Sequence, residues 1–129
     1  MVHRHFEDQL TELRGRLVQM GTSAESMIER AVKALLERSD ARHADVFKTE
    51  QEVNGLHIEI DERVINQIAL QHPVAADLRL VVMCSKIAGE LERIGDQAVN
   101  IAQNTAELIK HPPLKPMIDI PLMAEIARR

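Results

Sequence analysis

Three times along this chain apolar side chains return every three or four residues, and that spacing admits long packed helices and little else. The first stretch runs from Phe6 to Glu37, with its seam at Leu10, Leu13, Leu17, Met20, Ala24, Met27, Ala31 and Leu35. Gly15 and Gly21 weaken that helix slightly without breaking the pattern. Ser39 and Asp40 then supply capping chemistry where one helix stops and the next begins. The second stretch, about Ala41 to Leu70, has the seam Val46, Glu50, Val53, His57, Ile60, Val64 and Ile68.

Pro73 marks the next break, because it suits a first helical turn and discourages helical geometry at His72. The third stretch, about Pro73 to Lys110, reads Leu78, Val81, Ser85, Ala88, Glu92, Gly95, Val99, Ala102, Ala106 and Ile109. Leu80 to Met83 is apolar on all sides, which predicts that this helix is the most buried of the three. Its small residues Ser85, Ala88, Gly89, Gly95, Ala98 and Ala102 predict a close approach of neighbouring backbones. Short turns between long helices imply antiparallel neighbours. The expected fold is therefore all-α: an antiparallel up-down three-helix bundle over 1–110, followed by a Pro-rich linker over 111–120 carrying Pro112, Pro113 and Pro116. Residues 121–129 read as the opening of a partial fourth helix, too short to be stable alone. It is expected to be the truncated start of a second unit, or an arm docking on the bundle or on another copy.

Composition removes several classes of function. The 129 residues carry a net charge of −4, with both signs interspersed, and no basic stripe for nucleic acid. There is no Trp or Tyr, and Phe6 and Phe47 are the only aromatic rings of that kind, so no platform exists for stacking single strands. The lone Cys84, inside an apolar run, excludes an internal disulfide and reads as a buried inert thiol. The charged Met1 to Leu10 segment lacks the apolar core of a signal peptide, and the apolar runs fall far short of the ~20 residues of a membrane span. A soluble cytoplasmic protein without direct membrane insertion is the default expectation. No nucleophile elbow surrounds any Ser, no Gly-rich phosphate loop is present, and the histidines form no H-x-x-x-H or E-x-x-H pattern. His57, on a seam, reads as a hydrogen-bonded core histidine in preference to a metal ligand.

The chemistry concentrates in polar residues on two seams. Glu92 and Asp96 are four apart and share a helix face, with Asn100 continuing the ladder; Glu50 and Asn54 repeat the spacing on the second helix. With a turn at His72-Pro73, Glu50 lies 22 residues before His72 and Asp96 lies 23 after Pro73, so the pairs come level in antiparallel helices. If both seams point inward, several oxygen donors face each other, a set suited to iron, manganese, magnesium or zinc. Buried carboxylates require compensation, and neither Glu50 nor Glu92 has a basic neighbour on its own helix. The same spacing is also that of an ordinary solvated face, or of carboxylates neutralised from another helix. Three readings stay open on the residues alone: a metal-binding regulator, a metal-dependent enzyme using the same carboxylates, and a metal-free helical interaction module.

The string Glu90-Leu91-Glu92-Arg93-Ile94-Gly95-Asp96, followed by Asn100-Ile101-Ala102, resembles the signature of the PhoU family of phosphate-signalling regulators. His72 to Arg79 (HPVAADLR) resembles that family's entry to its third helix, and Val53-Asn54 with Ile60-Asp61-Glu62 supports the likeness on the second. The resemblance covers about Phe6 to Lys110. It implies an all-α protein built from two similar three-helix repeats, of which this chain would hold one. It implies a metal site, iron clusters in some members, carried by E/D-x-x-x-D pairs, here Glu92 with Asp96 and Glu50 with Asn54. Asn54 stands where a carboxylate would bind better. The resemblance further implies a non-enzymatic, homodimeric negative regulator of the phosphate-starvation response. Its implied partners are the ATPase subunit of a phosphate ABC transporter and a membrane sensor histidine kinase.

Overall fold

The computed structural model describes residues 2–41, 43–113 and 117–129. Four helices follow one another: α1 (Val2–Glu37), α2 (His43–Gln71), α3 (Ala75–Leu108) and α4 (Asp119–Arg128). The first three form the bundle that the apolar periodicity predicts, and α4 lies against α1 alone. Cross-helix pairs give the directions. Glu12 meets Arg63 and Arg16 meets Glu59, so α2 runs back along α1. Asp61 meets Ser85 while His57 meets Glu92, so α3 reverses again.

The predicted seams supply most of the core. Leu13, Met20, Ala24, Met27 and Ala31 of α1 pack with Val46, Val53, Ile60 and Val64 of α2 and with Val81, Ala88 and Ala102 of α3. Gly95 marks the tightest meeting of the three helices: a methyl group there would lie 3.4 Å from the Met27 sulfur and 3.7 Å from Val53 Cγ1. Small residues on α3 thus do bring neighbours close. Cys84 is buried, and burial pushes its thiol pKa up, a shift that the nearby Arg14 charge partly opposes.

The expected ranking of the helices fails. Leu78, Val82, Met83, Ile87 and Ile94 of α3 are all exposed, so α3 is not the buried central helix that the all-apolar Leu80–Met83 run suggested. In a three-helix bundle each helix has an outer face. Apolar residues on that face remain in water unless a further layer covers them.

The turns also refine the reading. α1 ends in a Schellman arrangement, with Ser39 N–H donating to Ala34 C=O at 3.0 Å and Arg38 N–H to Leu35 C=O at 3.2 Å. Arg38 takes the left-handed conformation usually given to Gly, at φ 51°. Its guanidinium donates to the carbonyls of Leu108 and His111, tying the end of α3 to the end of α1. Ser39 Oγ accepts from Ala41 N–H at 3.2 Å, so the capping chemistry read at Ser39-Asp40 acts in this turn. At the second turn His72 takes φ 46° and α3 begins at Ala75, two residues later than Pro73 suggested. Val74 occupies the N-cap position without a side-chain hydrogen bond. In the linker, residues 111–113 are non-helical, whereas Pro116 lies outside the described residues.

Candidate functional site

α2 and α3 hold the acidic side chains because both helices carry them on the face where the two run side by side. The register predicted from the His72-Pro73 turn is observed: Asp61 and Ser85, 11 residues before His72 and 12 after Pro73, meet with Ser85 Oγ donating to Asp61 Oδ1 at 2.8 Å. Glu92 reaches back across the interface to His57 Nδ1, and His57 Nε2 lies 3.4 Å from Asp61 Oδ2. One imidazole therefore sits between carboxylates from two helices. A neutral ring can donate to one of them, a protonated ring to both.

Burial differs from the inward-facing arrangement set out above. Glu50, Asn54, His57, Asp61, Ser85 and Glu92 are half-buried, whereas Asp96 and Asn100 are exposed. The residues thus line the outer, solvent-facing side of the α2/α3 interface, and the core behind them is apolar. Asn100 bonds to its helix neighbour Gln97 at 3.4 Å. Arg93 pairs with Glu90 at 3.4 Å. Among the described residues, Glu50 and Asp96 carry no ion pair or hydrogen bond from a side chain. The basic partner that Glu92 lacks on its own helix is His57 on α2.

The predicted ladder is therefore brought to one face, with His57 as an added member. His57 is a hydrogen-bonded half-buried residue and not a core one. Its role had a sequence signal, since it precedes Asp61 by one helical turn and comes within about a turn of Glu92 in the antiparallel register. Ser85 had only its place on a seam. Among the described residues no three His, Cys, Asp or Glu side chains converge closely enough to hold a metal ion as they stand. The donor types, carboxylate and amide oxygens at the edge of solvent, suit a hard cation that keeps part of its water shell. For Glu92 to serve as a ligand it would first have to leave His57.

With this arrangement in view, comparison with known proteins is decisive on kinship. Residues 17–105 match the PhoU domain family, and the chain belongs to it. The chain is 35% identical over 120 residues to a protein of Aquifex aeolicus named phosphate-specific transport system accessory protein PhoU homolog, a match covering 93% of this chain and 54% of that protein. It is 40% identical over 105 residues to the homolog of that name from Clostridium acetobutylicum (80% and 48% covered). It is also 34% identical over 111 residues to the accessory protein PhoU of Escherichia coli K12 (84% and 46% covered). The chain spans about half the length of these relatives.

Proposed function

We propose that this chain is a regulatory module of phosphate uptake, acting by protein contact and not by catalysis. The reading has the protein restrain the phosphate-starvation response by linking the ATPase subunit of a phosphate ABC transporter to a membrane sensor histidine kinase. It works in the cytoplasm as a homodimer. What carries this reading is the family match across 17–105, which contains the whole Glu90–Asp96 signature on the acidic α2/α3 face. No helix among the described residues is long and apolar enough to cross a membrane, consistent with a partner that meets membrane proteins from one side. Deleting the gene in its own host tests the proposal. Phosphate-starvation promoters should then fire in phosphate-replete medium, and unchanged repression would overturn it.

The same face is the proposed metal site, with Glu92 and Asp96 as the principal ligands and Glu50, Asn54 and Asn100 as further oxygen donors. Iron, zinc, manganese and magnesium are the candidate ions, and a bound cation would offset the excess of carboxylates there. The rival reading, a metal-free interaction module, is favoured by one observation: Glu92 already has a protein partner in His57. Metal analysis by mass spectrometry separates the two. The metal reading expects a stoichiometric ion in the wild type that is lost in Glu92→Ala/Asp96→Ala. A wild type that folds yet takes up none of these ions selects the metal-free module.

A further inference from the structure

The face opposite the acidic site is apolar, and little covers it. Ile118, Ile120, Leu122, Met123 and Ile126 of α4 are all exposed, Met123 to 66% and Ile126 to 55%. α4 meets the bundle through its other side, where Pro121 and Ala124 are half-buried and Arg128 lies 3.7 Å from both Glu25 and Glu29 of α1. Beside it the outer face of α3 exposes Met83, Ile87 and Ile94. Between them runs an open groove of about 650 Å³, floored by Gly21, Ala24, Ile28, Leu91 and Ile94 and closed at one end by Ala127.

A helix whose apolar side faces water while its polar side is ion-paired to its own bundle is oriented for a second surface. We infer that this surface is a second copy of this chain, packed face to face about a two-fold axis over α4 and the α1/α3 groove. The size fits. The exposed apolar side chains of α4 and α3 amount to something on the order of 700 Å² per copy, near the ~800 Å² per partner of a standard stable interface and above the patch size ordinary for a monomer. The charges fit as well. A two-fold interface brings one patch against itself, so its rim needs both signs, and here Glu25, Glu29 and Glu90 stand beside Arg93 and Arg128. The room left in the groove accepts side chains of the partner copy's α4, on the side away from the acidic residues.

This inference rests on the homodimer in the proposed function and adds where its contact lies. Sedimentation equilibrium of the purified chain, at concentrations up to ~100 µM, covers the weak micromolar end expected for an interface of this size. The wild type should sediment at twice 14.6 kDa. Met123→Glu/Ile126→Glu on α4, and separately Ile87→Glu on α3, should halve that mass while circular dichroism stays helical, because all three positions are exposed. Ile58→Glu, exposed on α2, should leave the dimer intact. A monomeric wild type overturns both the homodimer and this surface. A dimer that survives the α4 and α3 substitutions overturns the surface and leaves the homodimer standing.

Discussion

At the scale of single residues, Gln67 is the side chain least at ease with its surroundings. It is 3% exposed near the end of α2, and neither its amide nitrogen nor its oxygen has a hydrogen-bond partner. An unmatched buried amide costs about 1–3 kcal/mol, whereas an apolar group of the same shape costs nothing comparable. Gln67→Met keeps the length of the side chain and removes both polar atoms. It is expected to raise stability by about 1 kcal/mol or more, read as a higher urea midpoint at unchanged slope; a lower midpoint would show that the amide has a partner in solution. His57 teaches a different lesson. Its place in the seam was legible from spacing, but its partners were not, because Glu92 lies on another helix and only the packed bundle brings the two together.

At the scale of elements, the start of α3 is the least well finished. Val74 holds the N-cap position in extended geometry, with ψ 170°, and offers no side-chain acceptor to the first turn. Val74 is also 71% exposed, so replacing it sacrifices little packing. Val74→Asp should accept a hydrogen bond from the first-turn amides and complement the helix dipole, stabilising the chain by about 1 kcal/mol. A rise of a few degrees in Tm checks it. The helix boundaries themselves were largely written in the sequence, since the apolar seams of α1 and α2 end where Ser39-Asp40 and His72-Pro73 interrupt them. The two-residue delay of α3 was not, because Pro73 is acceptable both in a first turn and just before one.

At the scale of the whole molecule, Gly95 decides how closely three helices come together. Met27 of α1 and Val53 of α2 both stand at contact distance from where its side chain would begin. An alanine there finds ordinary van der Waals contacts, but a longer side chain meets two elements at once. Gly95→Leu should therefore destabilise by about 1–3 kcal/mol through overpacking, while Gly55→Ala, with open space around it, should stabilise by up to ~1 kcal/mol. Chemical denaturation of the pair checks both signs, and equal effects would show that the bundle yields at Gly95. The three-helix unit also has two distinct outer faces: the α2/α3 face holds the acidic residues, and the α1/α3 face with α4 presents apolar ones.

By itself the sequence determined the class of fold, the three long helices, the antiparallel register and the level placement of the Glu50/Asn54 and Glu92/Asp96 pairs. Each of these follows from period and chain distance, which are local quantities. It could not rank the helices by burial, since an apolar run such as Leu80–Met83 looks the same whether its outer side is covered or not. Only the tertiary structure decided that Asp96 and Asn100 face solvent, that His57 bridges Glu92 and Asp61, and that the apolar side of α4 is left uncovered. Those outcomes depend on how each helix is rotated about its own axis. That rotation is set by the packing of all three helices together, with close contact at Gly95.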